Sequence, residues 1–184
     1  MQARAWEQIA QAGASALSLK AIASQMGMTA PALYRYYANR DELLTQLILH
    51  TYQEIAELVE AAAQEGEAPA RRLGAIAQEL RRWALVHPQR YLLLYGTPVP
   101  GYHAPDTASG LAQRIFAPIL SGFGALDEES RNRPEGDSPF RRSVIFWTRL
   151  HGILSLELAG HFTGMTVDTE QLYNNEVRDL ISVP

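Results

Sequence analysis

The sequence predicts a nearly all-α protein: a small N-terminal three-helix unit followed by a larger helical one. Three observations carry that expectation. Alanine (26 residues) and leucine (23) dominate the 184-residue chain, and both are strong helix formers. Apolar residues recur three and four positions apart over most of its length, the period of a helix with one buried face. Alternating runs of Val, Ile and Thr, the mark of half-buried strands, are absent.

The elements follow in order. A helix over about 3–12 brings Trp6, Ile9 and Ala10 to one face and stops at Gly13. Ser18 is a good N-cap for a second helix that turns Leu19, Ile22, Ala23 and Met26 inward and ends at Gly27. Thr29 caps a third, short helix, with Pro31 early in its first turn, where a missing N–H costs nothing. Asn39-Arg-Asp-Glu42 resembles a capping box and opens a long fourth helix through Leu43, Leu44, Leu47, Ile48, Tyr52, Ile55 and Val59. After a break over 64–69, helices are expected at 70–86, 88–95, 107–123, 139–162 and 168–181. The Pro- and Gly-bearing stretch 96–105 and the charged stretch 127–138 separate them, the second as an expected mobile loop. The expected domains are 1–45 and 46–184.

Composition excludes several functions. Sixteen Lys+Arg against twenty Asp+Glu leave a net charge of −4, which argues against a protein that coats nucleic acid by bulk charge. The charge is uneven: residues 1–52 hold four basic groups against three acidic ones, the remainder twelve against seventeen. The split is +1 and −5, so the acidity belongs to the C-terminal part. With no cysteine, disulfide scaffolds, thiol catalysis, iron–sulfur clusters and cysteine-ligated zinc are ruled out. No apolar stretch approaches the roughly 18–20 residues of a membrane span, and Met1-Gln-Ala-Arg-Ala-Trp-Glu is not a secretory signal. A cytoplasmic protein is expected.

Two short helices meet at Ala23-Ser-Gln-Met-Gly-Met-Thr-Ala-Pro-Ala-Leu-Tyr34. A helix ending at glycine, a short turn and a capped second helix form the pattern of a helix-turn-helix, whose second helix enters the major groove of DNA. Ala23, Met26, Met28 and Leu33 would hold the two helices together. The same spacing also fits a structural αα-corner with Tyr34, Tyr36 and Tyr37 as core aromatics. Three tyrosines within four residues cannot all point inward, however, so at least one phenol must be exposed.

Residues 3–52 resemble the DNA-binding domain of the TetR family of transcriptional regulators. The resemblance rests on Leu17-Ser-Leu-Lys-Ala-Ile-Ala23, Gly27-Met-Thr-Ala-Pro-Ala-Leu-Tyr-Arg-Tyr-Tyr37 and Asn39-Arg-Asp-Glu-Leu-Leu44. Trp147-Thr-Arg-Leu-His-Gly152 and the residues following it to Phe162 resemble the Trp-His-Gly type of regulatory domain found in one TetR subgroup; His87-Pro-Gln-Arg-Tyr91 and Pro98-Val-Pro-Gly-Tyr102 are similar to the same subgroup. The resemblance implies an all-helical homodimer on a palindromic double-stranded operator, a repressor in the family's usual mode, released by a small molecule. A constitutive regulator with a protein partner or none is the alternative.

By that resemblance, Thr29, Ala30 and Pro31 sit against DNA, and Tyr34 and Tyr36 lie near phosphates. Arg35 is best suited to read a base, because guanidinium bonds bidentately to guanine O6 and N7. Lys20 is the next candidate for a base or phosphate. Ser18 and Arg40 should bind phosphate, Arg40 helped by the positive end of the fourth helix. Family members often carry a longer basic N-terminal arm than Arg4 supplies here, so few phosphate contacts per monomer are expected.

Segment 140–162 mixes large residues with Gly152, Ser155, Ala159 and Gly160. Helices 139–162 and 168–181 from two subunits would form a four-helix dimer interface, with simple packing within one chain as the alternative. Trp83, Tyr91, Tyr95, Tyr102, Phe116, Phe123, Phe146, Trp147 and His151 are candidates to line a pocket for a largely apolar effector. Glu157 and His161 share a helix face, as do His151 and Ser155, but two ligands are too few for zinc and no nucleophile elbow, phosphate loop or carboxylate pair accompanies them. No catalytic residue, metal or cofactor is expected, and no membrane contact.

Overall fold

Local signals set most of the helix boundaries. The computed structural model describes residues 1–66, 68–129 and 138–182, and among these it is all helix and turn. Its helices are α1 (Gln2–Ala12), α2 (Leu19–Gln25), α3 (Ala30–Tyr34), α4 (Arg40–Ala62), α5 (Pro69–Val86), α6 (Pro88–Tyr95), α7 (Thr107–Glu129), α8 (Pro139–Leu158) and α9 (Thr169–Ile181). A single 3-10 turn at Ala14–Ala16 follows Gly13 and was not foreseen.

The caps behave as their chemistry demands. Ser18 Oγ accepts from the Ala21 N–H at 3.3 Å. Asn39 Oδ1 accepts from the Glu42 N–H at 2.8 Å, and Glu42 reaches back to the Ala38 N–H at 2.6 Å. Thr29 does occupy the N-cap of α3, but its hydroxyl makes no cap bond; fixed by Pro31, that helix begins without one.

Some expectations need correcting. Met26 is 37% exposed, because it is the C-cap of α2 and the chain has already turned toward Gly27, at φ +65°. In α1, Ala5 rather than Ala10 is buried. Helix α7 continues to Glu129, six residues past the expected end, because Leu126 is buried against the core. Of the expected loop over 127–138, residues 130–137 lie outside the described residues. Helix α8 stops at Leu158 rather than 162, and Gly160 at φ +77° makes the turn.

Two apolar clusters are threaded by one helix. Leu43, Leu44, Leu47 and Ile48 of α4 pack with Ala5, Ile9, Leu17, Leu19, Ile22, Ala23 and Leu33. Two turns on, Ile55, Ala56, Val59 and Ala62 pack with α5, α7, α8 and α9. Tyr52 touches both clusters. The N-terminal head is thus set on the body by a rigid rod rather than a linker. In the body, Gly122 lets α7 approach α5: a Cβ there would stand 2.8 Å from the Leu73 side chain. No described helix is long and apolar enough to cross a membrane.

Candidate nucleic-acid interface and regulatory core

Helices α2 and α3 pack through Ala23 and Leu33, each 1% exposed, with Met28 partly buried beside them. The turn at Gly27 therefore places α3 as an outward-facing helix on a fixed base. The tyrosines divide as their spacing requires. Tyr37 packs inward on the head cluster, while Tyr34 (49%) and Tyr36 (61%) are exposed. Thr29, Pro31, Arg35 and Lys20 are exposed as well, Ser18 is half-buried, and Ala30 opens α3.

The charged groups of the head sort into engaged and unengaged. Arg4 is paired with Glu7 at 2.6 Å. Arg40 Nε bonds to Asp41 at 3.0 Å and its Nη1 donates to the Ser15 carbonyl at 3.3 Å. Among the described residues, Lys20 and Arg35 have no ion-pair partner, so neither has a bond to break before meeting an anion. Ser18 uses its oxygen as an acceptor in the cap, which leaves its O–H available as a donor.

Helix α6 joins this head to the body on two faces. Toward the head, Arg90 lies 5.3 Å from the Trp6 ring while it binds Glu54 of the connecting helix α4 at 2.5 and 2.6 Å. His50 approaches the same Glu54 at 3.2 Å, and in the loop beyond α6 the Tyr102 hydroxyl meets Thr45 Oγ1 at 3.0 Å. Toward the body, Tyr91 Oη lies 2.7 Å from His151 Nδ1 and 3.3 Å from Ser155 Oγ. Sequence reasoning missed Arg90 and Glu54, because partners 36 positions apart leave no local signal.

The candidate pocket residues do not all converge. Tyr91, Tyr95, Trp147 and His151 form one cluster, with His151 4.0 Å from Trp147, 4.4 Å from Tyr95 and 5.5 Å from Tyr91 between ring centroids. Trp83 instead meets His87 at a tilt, while Phe146 meets Phe123 and Phe116 meets Phe140 edge to face. The rings of the cluster thus fill the space between α6 and α8 with one another. Burial pushes the Tyr91 phenol up to about 12, partly offset by the Ser155 hydroxyl, so it keeps its proton. His151 Nε2, like the Tyr95 hydroxyl, is buried with no partner among the described residues.

Burial also lowers the His151 pKa from 6.5 to about 4. Above pH 6.5 both folded and unfolded chains hold it neutral. Between 6.5 and 4 the unfolded chain takes up a proton that the folded chain refuses. Stability therefore falls with pH across that window, by about 3 kcal/mol for the full shift. Urea unfolding at pH 7, 5.5 and 4 should show this loss in the wild type and a shallower one in His151→Phe. Equal slopes in the two proteins would overturn the assignment.

Comparison with known proteins agrees with this geometry. Residues 3–47 match the family model described as bacterial regulatory proteins, tetR family. Residues 73–180 match that of the tetracyclin repressor-like C-terminal domain. The HTH-type transcriptional regulator Rv1816 of Mycobacterium tuberculosis is 34% identical, over 96% of this chain and 87% of its own length. The crystal structure of SCO4313 is 48% identical and superposes with a TM-score of 0.86, covering 97% of this chain and 92% of that one. AibR, solved in complex with isovaleryl coenzyme A and operator DNA, shares the fold at a TM-score of 0.70 and 18% identity, over 96% of this chain and 94% of its own. With a helix-turn-helix on its surface and both family models matched in order, the chain belongs to the TetR family of DNA-binding transcriptional regulators, a class that is not enzymatic.

Proposed function

We propose that the protein is a homodimeric repressor that binds a palindromic operator and leaves it when a small, largely apolar molecule binds the body. Residues 1–45 serve as the reading head and 46–184 as the regulatory and dimerising body. The observation that carries this reading is the outward face of α2 and α3. Lys20, Thr29, Tyr34, Arg35 and Tyr36 are all exposed there, on helices whose other side is buried. Arg35 reads a base, and Ser18, Tyr34, Tyr36 and Arg40 hold phosphates, with Thr29, Ala30 and Pro31 against the groove.

Two heads are needed because one is nearly neutral. The outward side of α8 supports pairing: Val144 is exposed, and one and two turns on stand Thr148 and Gly152. Thr148 Oγ1 is satisfied by the Val144 carbonyl at 2.9 Å, and nothing lies within 4 Å of a Cβ built on Gly152. Such a shallow, apolar strip on α8, with Leu172 exposed on α9, suits packing against the same helices of a second copy. The two recognition helices would then fall about 34–36 Å apart, the spacing of successive major grooves.

Selection of bound duplexes from a random pool tests the reading. The expected output is a palindrome with two half-sites about one helical turn apart; an output without two-fold symmetry would overturn it. The salt dependence follows from the same head. With few basic side chains per copy, the slope of log K against log salt should correspond to about 6–10 phosphate contacts per dimer. A much steeper slope would mean that another basic surface contributes.

A further inference from the structure

Where the head meets the body there is a cleft of about 790 Å³, within the roughly 300–1,000 Å³ usual for small-molecule sites. One wall is the end of α1 with the turn after it, including Ile9, Gly13 and Ser15. The other is one face of α6 with the loop beyond it, and the end of α8 closes the far side. We propose that this cleft, rather than the ring-filled space between α6 and α8, binds a neutral, mostly apolar small molecule, and that its occupancy changes operator affinity.

Three features support the choice. First, its described lining contains no Asp, Glu, Lys or Arg, although a fifth of the chain is charged. His161 is the single ionisable side chain in that described lining, so a charged ligand would shed water there for at most one ion partner, a cost that a neutral one does not meet. Second, Leu92, Leu93, Val99 and Leu156 offer apolar surface, and Leu156 is 45% exposed. Gln89, Thr97 and Ser155 place hydrogen-bonding groups among them, the mix that orients a drug-sized ligand. Third, the cleft is wired to both units. Ser155 is 3.3 Å from the Tyr91 hydroxyl, which is 2.7 Å from His151. The opposite wall belongs to α1, whose Ser18 contact runs through Gln8 at 3.1 Å. A molecule seated between these walls sets the distance between α1 and α6, and hence the attitude of the head.

The proposal rests on the reading of the chain as a regulated DNA-binding protein. Its test separates the two. Nile red, a neutral apolar dye, is titrated into the full chain and followed by fluorescence, with the anionic dye 1-anilinonaphthalene-8-sulfonate in parallel. Saturable binding of Nile red at one site per chain is expected, with the anionic dye at least about tenfold weaker, a difference of about 1.4 kcal/mol. Ala159→Trp and Thr97→Trp each fill the cleft from an exposed position on a different wall. Each should weaken Nile red by at least about tenfold while circular dichroism stays unchanged; the second variant serves if the first misfolds. Trp147→Leu, in the ring cluster, should leave dye affinity within about twofold of wild type, since roughly 1.4 kcal/mol is needed for tenfold.

Saturating dye should then shift operator affinity by about 5- to 150-fold, the range of ordinary allosteric coupling. The proposal is overturned by non-saturable dye binding, by equal affinity for the anionic dye, or by loss of binding in Trp147→Leu with retention in both cleft variants. It is also overturned if saturating dye leaves operator affinity unchanged. Failure of the dye-free protein to bind any operator would instead sink the repressor reading.

Discussion

Arg35→Ala should cost about 2–6 kcal/mol of operator affinity per dimer, from about 1–3 kcal/mol for each lost bidentate contact to guanine. Affinity for random duplexes should fall far less, so the specificity ratio collapses. Arg40→Ala should behave differently and weaken specific and random duplexes alike, as a phosphate contact does. The structure sharpens that contrast. Arg35 stands exposed at the C-cap of α3 with no ion-pair partner among the described residues. Arg40 must first loosen its bonds to Asp41 and to the Ser15 carbonyl. Part of its binding energy is thus consumed in exchange, and its effect should be the smaller one. Electrophoretic or fluorescence titration of both variants on the selected palindrome and a scrambled duplex decides the matter. Equal losses on the two duplexes for Arg35→Ala would remove it from base reading.

The second large effect is expected in the body, far from DNA. Arg81 is buried, with its side chain 6% exposed, and pairs through both terminal nitrogens with Glu157, one bond at 2.9 Å. Glu157 also accepts from Thr169 Oγ1 at 2.6 Å, and Arg81 lies 5.2 Å from the Tyr173 ring. The pair therefore ties α5, α8 and α9 together. Glu157→Ala strands a buried guanidinium, which costs about 3–5 kcal/mol. For a chain of this size that corresponds to a Tm lowered by roughly 10 °C. Burial raises the Glu157 pKa, but hydrogen bonds from Arg81 and Thr169 and the charge of Arg81 outweigh it, and the net shift is downward from 4.5. A depressed carboxylate contributes stability above its unfolded pKa and loses it as pH falls below. The Glu157→Ala penalty should accordingly shrink in acid. A penalty under about 1 kcal/mol at pH 7, the worth of an exposed pair, would contradict the buried geometry.

Much of the fold was legible in the sequence because its signals are local. Ser18 and Asn39 cap the helices they were expected to cap, since a side-chain oxygen beside an unpaired N–H acts within a single turn. Pro31, Pro69 and Pro88 all fall in first turns, and the proline-bearing stretch before α7 stays non-helical. Of the three tyrosines, two phenols are out and one is in, as their spacing requires. Met26 and the end of α8 departed from expectation through the local turns at Gly27 and Gly160, whereas α7 departed through a distant contact. Leu126 carried α7 onward because the core received it.

The body was far less legible. Aromatic residues at helical spacing suggested a common pocket, yet Phe116, Phe146 and Trp83 each found a different partner. Glu157 and His161 share a helical period, but α8 ends between them, and Glu157 turns to an arginine 76 positions away. The cleft between head and body has no sequence signature, because its walls come from three separate stretches of chain.

By itself, then, the sequence determined the helical class, the helix starts, the reading motif and the family, all of which depend on residues within a few turns of one another. Only the tertiary structure decided which charges are engaged, which rings face which, and where the head and body leave space. The largest of those depend on side chains brought together from far apart, 36 positions for Arg90 and Glu54 and 76 for Arg81 and Glu157, where no periodicity or spacing rule links one partner to the other.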